Sequence, residues 1–154
     1  RDTDRSRGLG DVYKRQVGVS EEEVKLARLL GEYIGICFQI KDDIFDYFDS
    51  KEIGKPTGND MLEGKLTLPV LYALNRANDN QATEIALKVK EGTATLDEIA
   101  RLIAFTKENG GIEYAVRTMN AYKQKAFGLL ASLPDSAICV ALRSYLDYVV
   151  DREK

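Results

Sequence analysis

Apolar side chains recur at helical spacing through most of the chain, and no segment alternates in the way that a half-buried strand requires. Ser20 is followed by three glutamates, a pattern that predicts a capping box at the start of a helix. The spacing then continues through Phe48 without a proline, which predicts one helix of about 28 residues and about 42 Å.

Four further segments carry the same spacing: residues 66–77, 95–110, 112–132 and 136–152. Pro69 lies in the first turn of the first of these, where proline is tolerated. Thr95 and Glu98 form a capping box, Gly110 ends that helix, and Pro134 separates the last two. The predicted fold class is therefore all-α, packed as a helical bundle.

Residues 50–65 interrupt the helices with the glycine-rich stretch SKEIGKPTGNDMLEGK. A loop of this length in a compact domain is usually functional or disordered. It resembles a Walker A loop, but Gly58 and Gly64 are one residue too far apart, and Leu66 stands where serine or threonine is required. The alternatives are a connector with exposed lysines and a flap whose lysines reach a phosphate group.

Four polar side chains share an arc of about 100° when residues 34–48 are placed on a helical wheel: Gln39, Asp42, Asp43 and Asp46. Six apolar side chains fill the opposite side: Ile34, Cys37, Phe38, Ile44, Phe45 and Phe48. Lys41 lies among them and fits poorly there. We expect the apolar arc to face the core and the three aspartates to form a separate acidic stripe.

This acidic stripe, Asp42, Asp43 and Asp46, has two interpretations. It is either a solvated helix face or a site for a divalent cation. Carboxylates three or four residues apart repel by about 0.2–0.5 kcal/mol per pair, and no lysine interleaves with them on this arc. A cation would remove the repulsion, and oxygen ligands without histidine or cysteine suit Mg²⁺ or Mn²⁺.

A longer pattern covers residues 31–74, GEYIGICFQIKDDIFDYFDSKEIGKPTGNDMLEGKLTLPVLYAL. Its DDxxD, GKPxGxD, EGK and TLP elements, in this order, resemble the second aspartate-rich region of the trans-polyprenyl diphosphate synthases. The resemblance implies a partial isoprenoid-synthase fold around a central cavity. It also implies Mg²⁺-dependent condensation of isopentenyl diphosphate with an allylic diphosphate, with release of inorganic diphosphate.

The resemblance also implies roles for single residues. The acidic stripe would bind the metal, and Asp60 would hold a metal-bound water or orient a lysine. Lys55 and Lys65 would bind diphosphate oxygens, so that Asp42, Asp43 and Lys55 carry the chemistry. Phe38 and Gln39 would line the substrate cavity.

Members of that family carry two DDxxD motifs, and this chain has one. We therefore expect a C-terminal part of a synthase, inactive alone, whose full-length form is a homodimer. Two alternatives stay open: a non-catalytic diphosphate-binding subunit of a heteromeric synthase, and a terpene cyclase of the same superfamily. A cyclase would be expected to show an Asn/Asp-Ser/Thr-Glu metal motif instead.

Composition narrows the function further. The 154 residues contain no histidine, which excludes Ser-His and Cys-His catalysis, and their formal charge of −3 argues against a nucleic-acid partner. Two cysteines form no disulfide framework, and neither a membrane-spanning run nor a signal pattern is present, so a cytoplasmic protein is expected.

Residues 1–16, RDTDRSRGLGDVYKRQ, lack apolar periodicity. DVYKRQ is encoded by GAT-GTG-TAT-AAG-AGA-CAG, which looks like the end of a transposon-based sequencing adapter. We expect a non-native tail, with the native domain at residues 17–154. Without the tail, 17 basic and 22 acidic residues remain, a net charge of −5.

Overall fold

The computed structural model describes residues 21–48, 58–132 and 137–152. All regular secondary structure within these ranges is α-helical, which confirms the all-α prediction. The helices are α1 Glu21–Phe45, α2 Asn59–Leu62, α3 Leu68–Ala77, α4 Asn80–Glu91, α5 Leu96–Glu108, α6 Gly111–Ser132 and α7 Ala137–Asp151. The predicted tail (1–16), Ser20, Lys55 and Pro134 lie outside the described residues.

Helix α1 ends at Phe45, three residues before the predicted end. The chain then tightens into turns, because the amide of Tyr47 bonds to the carbonyl of Ile44 and that of Phe48 to the carbonyl of Phe45, each at 3.1 Å. Hydrogen bonds from an amide to the carbonyl three residues earlier are typical of the last turn of a helix. They place Asp46 just outside α1, where its side chain and backbone can meet another segment.

The predicted first turn of α3 and the predicted cap of α5 are confirmed. Pro69 lies at the start of α3, and Thr95 and Glu98 exchange both bonds of a capping box at the start of α5. Helix α4 was not predicted, although its signals are present. Asp79 caps it by accepting the amide of Ala82, and Gly92 ends it in the left-handed conformation at φ 78°.

The chain divides into two compact units. Among the described residues, the first contains 21–37, 121–132 and 137–152, and its buried side chains are Leu30, Cys37, Ala126, Leu130, Cys139, Leu146, Val149 and Val150. The second contains described residues 38–48 and 58–120, with a core built from Tyr47, Met61, Val70, Ala82, Ile85, Ala86, Val89, Ile99, Leu102 and Ile103. The acidic stripe belongs to the second unit.

Tyr47 anchors the segment that follows α1. Its side chain is 2% exposed, and its hydroxyl lies 3.2 Å from the Thr67 hydroxyl at the N-terminus of α3. Burial raises the pKa of this phenol, so it stays neutral and keeps its hydrogen bond. The bond joins the end of α1 to the start of α3 and so fixes both ends of the chain stretch that contains the glycine-rich loop.

None of the helices described is both long and apolar enough to cross a membrane.

Candidate functional site

The acidic stripe lies beside the core face of α1 instead of opposite to it. Cys37, Ile40, Ile44 and Tyr47 are buried at steps of three and four residues, which makes them the core stripe of this helix. Asp43 is also buried, at 8% exposed, while Asp42 and Asp46 are half-buried. The helical wheel therefore placed the core face of α1 at the wrong angle around the helix axis.

Two aromatic residues that the wheel assigned to the core are exposed. Phe38 is 39% exposed and Phe48 is 44% exposed. The centre of the buried face lies near Ile40 and Ile44, and these two rings fall at its margins. The ammonium of Lys41 lies 5.4 Å from the centroid of the Phe45 ring, which explains how a lysine is accommodated among apolar side chains.

Asp43 has a carboxyl group whose pKa is perturbed by its surroundings. Burial raises its pKa, and the negative charges of Asp60, Asp42 and Asp46 raise it further. The side-chain amide of Gln39 opposes this shift by donating a hydrogen bond to Oδ1 at 3.0 Å. Three carboxylates therefore act electrostatically on a fourth that is shielded from water, an arrangement that a cation would stabilise.

Asp46 receives backbone amides from the far side of the loop. Its Oδ1 accepts the amide of Asn59 and its Oδ2 accepts the amide of Asp60, each at 3.0 Å. Its carbonyl accepts the amide of Gly58 at 2.9 Å. These three bonds bring Asp60 to the acidic stripe from 14 residues away, and no local sequence signal predicts them.

Gly58 is required at this junction. It adopts φ +78°, and a Cβ atom would lie 2.9 Å from Cγ2 of Ile99 and 3.0 Å from Cδ1 of Ile103. Both the left-handed backbone and the contact with α5 therefore favour glycine. This glycine of the GKPxGxD pattern holds α2 against the core while Asp46 holds its first amides.

Of the two lysines predicted to bind diphosphate, the structure describes Lys65. Lys65 is exposed, its amide bonds to the carbonyl of Asp60 at 2.8 Å, and its ammonium pairs with Glu63 at 3.2 Å. Lys55 lies outside the described residues. No sequence pattern singled out Lys107, whose ammonium lies 4.5 Å from the centroid of the Phe48 ring.

The carboxylates fit a hard divalent cation by chemistry more than by their present arrangement. Within residues 21–48, 58–132 and 137–152, no three acidic or cysteine side chains are arranged as a ready-made metal site. The oxygen-only donor set of the stripe and Asp60 is nevertheless the kind that Mg²⁺ or Mn²⁺ prefers. Each oxygen of Asp46 also keeps a second lone pair beyond its amide bond.

Comparison with known proteins decides the family, because residues 12–106 match the sequence profile of the polyprenyl synthetases. The chain belongs to the polyprenyl synthetase family. The matched stretch begins five residues before Val17, inside the segment that we predicted to be a non-native tail. The family resemblance drawn from residues 31–74 is confirmed.

Three members of the family illustrate the similarity. Heptaprenyl diphosphate synthase component 2 of Bacillus subtilis is 35% identical over 137 residues, which are 88% of this chain and 38% of that protein. The crystal structure of geranylgeranyl pyrophosphate synthase from Bacteroides thetaiotaomicron is 76% identical with a TM-score of 0.84, covering 90% of this chain and 46% of that one.

A third structure, polyprenyl synthase from Caulobacter crescentus CB15, contains calcium and isoprenyl diphosphate. It is 29% identical with a TM-score of 0.76 and covers 89% of this chain and 42% of that one. The chain thus spans less than half the length of each of these three polyprenyl synthetases. The activities that these names give to the whole proteins are therefore, for this chain, proposals.

Proposed function

We propose that this chain supplies the C-terminal part of a trans-polyprenyl diphosphate synthase, which condenses isopentenyl diphosphate with an allylic diphosphate. Membership of the polyprenyl synthetase family supports the reaction class. The observation that carries the proposal is the electrostatic grouping of Asp42, Asp46 and Asp60 around the buried Asp43. Such a concentration of carboxylates, on α1, just beyond its end and in α2, is costly unless a cation is bound.

The proposed reaction requires stabilisation of the negative charge that develops on the departing diphosphate. The C–O bond of the allylic diphosphate would break, and its electron pair would leave with inorganic diphosphate. The isopentenyl double bond would then form the new C–C bond, and the resulting cation would pass a proton to the departing diphosphate. Bound Mg²⁺ would neutralise the charge that develops on the departing diphosphate. A family member whose crystal structure contains calcium and isoprenyl diphosphate supports the use of a divalent cation with a prenyl diphosphate.

Different residues of this chain would hold the metal, orient a metal ligand and line the substrate cavity. Asp42 and Asp43 would hold the metal, with Asp46 as a third candidate ligand, and Gln39 would fix the orientation of Asp43 through its bond to Oδ1. The exposed ring of Phe38 would line the cavity for the prenyl chain. These carboxylates act as ligands and need no proton transfer.

Fixed positive charge would come from the loop. Lys65 is exposed and its backbone amide is tied to Asp60, so its ammonium can exchange Glu63 for a diphosphate oxygen. Lys55 precedes Gly58 by three residues, and we propose the same role for it. Asp60 would orient one of these lysines or hold a metal-bound water.

Turnover would require more than this chain. The chain spans between 38% and 46% of the three family members described above, and we propose that the remaining part supplies the first DDxxD motif and homodimer contacts. A second candidate is a subunit of a heteromeric synthase. This alternative is supported by the name of the Bacillus subtilis relative, which describes that protein as component 2 of a synthase.

The test joins this chain to the N-terminal part of the Bacteroides thetaiotaomicron relative and measures incorporation of labelled isopentenyl diphosphate. Asp43→Asn should lower kcat by about two to four powers of ten, the usual scale for losing one electrostatic element. Asp97→Asn, at an exposed carboxylate in the first turn of α5, is the matched control and should stay within about twofold of the parent.

An Asp43→Asn variant with activity within about threefold of the parent would contradict the metal-ligand role. Product formation that requires a second, different polypeptide would favour the heteromeric candidate. Full activity of the 154-residue chain alone would contradict the proposal that it is only part of the catalytic unit.

A further inference from the structure

Asp46 binds three consecutive amides of the segment that begins at Gly58. Its carbonyl accepts the amide of Gly58, and its two carboxylate oxygens accept the amides of Asn59 and Asp60 at 3.0 Å each. The chain separation is 13 and 14 residues for the carboxylate bonds. One aspartate of the DDxxD pattern is thus committed, through both oxygens, to the backbone of another segment.

Helix α2 depends on such support because it is only four residues long. A helix this short is far below the length at which an isolated helix is stable, and its first amides have no partner within the helix. Gly58 at its N-cap contributes no side-chain bond. The carboxylate of Asp46 therefore satisfies donors that α2 cannot satisfy itself.

Two further contacts of α2 follow along the chain, one of them apolar and the other at its far end. Met61 is buried in the core of the second unit, and the segment ends where the amide of Lys65 bonds to the carbonyl of Asp60. Apolar contacts hold α2 against the core but leave its rotation and translation poorly fixed, because they are not directional. The paired bonds to Asp46 supply that direction at Asn59 and Asp60.

Resting on the proposed function, we propose that Asp46 is a positioning residue: it fixes Asp60 at the metal-binding stripe through the backbone of α2 and contributes to metal binding through Asp60 instead of as a direct ligand. Asp42 and Asp43 remain the carboxylates on α1 that bind the cation. The DDxxD pattern then combines two ligands with one structural clasp, which joins the end of α1 to the start of α2.

The clasp and a direct ligand respond differently to substitution. Asparagine at position 46 keeps one accepting oxygen and can satisfy one of the two amides, whereas alanine satisfies neither. Both variants lose the negative charge, but the asparagine carbonyl can still coordinate a cation, so metal affinity alone does not separate the two roles. A graded loss of amide protection at Asn59 and Asp60 without metal, with Asp46→Ala more severe than Asp46→Asn, is the signature of the clasp.

The first measurement is amide hydrogen exchange by NMR on the 154-residue chain without metal. Asp46→Ala should lower the protection of the Asn59 and Asp60 amides about tenfold or more, and Asp46→Asn should lower it less. Asp42→Asn, one turn earlier on α1, should leave both amides unchanged. The amide of Leu102 in the core reports whether each variant stays folded.

The second measurement is a double-mutant cycle on the affinity for Mn²⁺ with inorganic diphosphate, followed by calorimetry. Asp46→Ala and Asp60→Asn should each weaken binding about tenfold, the usual scale for residues that orient a metal site. In the Asp60→Asn background, Asp46→Ala should change the affinity by less than about twofold, because its effect acts through Asp60.

Additive losses in the cycle would make Asp46 a direct ligand and overturn the inference. Unchanged protection of the two amides in Asp46→Ala would overturn it as well. If the parent chain binds no Mn²⁺–diphosphate, the proposed function fails at this segment, and the exchange data still decide whether Asp46 fixes Asp60.

Discussion

Asp43 is a buried carboxyl group, 8% exposed, that accepts a hydrogen bond from the Gln39 amide at 3.0 Å. The negative charges of Asp60, Asp42 and Asp46 act on it. The helical wheel grouped Asp43 with Gln39 and Asp42 on one side of α1. The wheel gave no sign that Asp43 is buried, because burial depends on which neighbouring segments cover the helix. The arrival of Asp60 from across the loop is equally invisible to local spacing.

The perturbed pKa of Asp43 leads to a prediction about stability and pH. Because burial and neighbouring charges raise the folded-state pKa, the protonated carboxyl contributes stability that is complete below the unfolded pKa of about 3.9. That contribution is lost as pH rises through the folded-state pKa. Asp43→Asn mimics the neutral form, so without metal it should raise Tm at pH 7 by about 1–4 °C.

Thermal unfolding in EDTA between pH 3 and pH 8 checks this prediction. The difference in Tm between Asp43→Asn and the parent should shrink toward zero as pH falls below about 4. Asp97→Asn controls for the loss of one negative charge. A lower Tm for Asp43→Asn at pH 7, with a normal Asp97→Asn, would mean that the ionised carboxylate stabilises the fold.

Helices with caps and periodic apolar positions were predictable at the scale of the element. Thr95 and Glu98 predicted the start of α5, and the structure contains both hydrogen bonds of their capping box. Helix α4 carried comparable signals, with Asp79 as its cap and Gly92 at its end, so its omission was avoidable. Helix α2 was different: its first amides bond to Asp46, so nothing in its own four residues could indicate it.

Two glycines of α6 give a matched prediction about packing. A Cβ at Gly111 would lie 2.4 Å from the carbonyl oxygen of Pro69 and 2.7 Å from Cγ2 of Thr106, whereas a Cβ at Gly128 would meet nothing within 4 Å. Gly111→Ala should therefore destabilise the protein by about 1–3 kcal/mol. Gly128→Ala should stabilise it by about 0.5–1 kcal/mol, because glycine weakens a helix interior.

Urea unfolding of the two variants beside the parent measures these changes. Equal effects of the two substitutions would mean that the contact between Gly111 and Pro69 does not constrain α6. The left-handed backbone of Gly110, at φ 78°, lies between α5 and α6, and Gly111 already begins α6. The predicted start of this helix, residue 112, is therefore correct within one residue.

At the scale of the whole molecule, the sequence established the family before the fold was known. An ordered set of motifs over residues 31–74 was sufficient, because it combines metal-type carboxylates with a glycine-rich basic loop. The profile match over residues 12–106 confirms the assignment.

Exposed apolar side chains belong to the same question of partners. Large apolar residues with at least 39% exposure occur in both compact units: Phe38, Phe48, Leu62, Leu71, Leu87, Leu96, Val140, Tyr145 and Tyr148. Scattered exposed residues of this kind are ordinary, and they identify no particular partner. The proposal of a homodimer therefore rests on the family and on the length of the chain relative to its members.

The central claim is that the acidic stripe binds a metal–diphosphate, and calorimetric titration of inorganic diphosphate into the 154-residue chain tests it most directly. Binding should occur in Mg²⁺ and disappear in EDTA. Asp42→Asn should weaken it by about tenfold or more, and Asp97→Asn should leave it within about twofold of the parent. Binding that persists unchanged in EDTA, or that Asp42→Asn does not affect, would contradict the account.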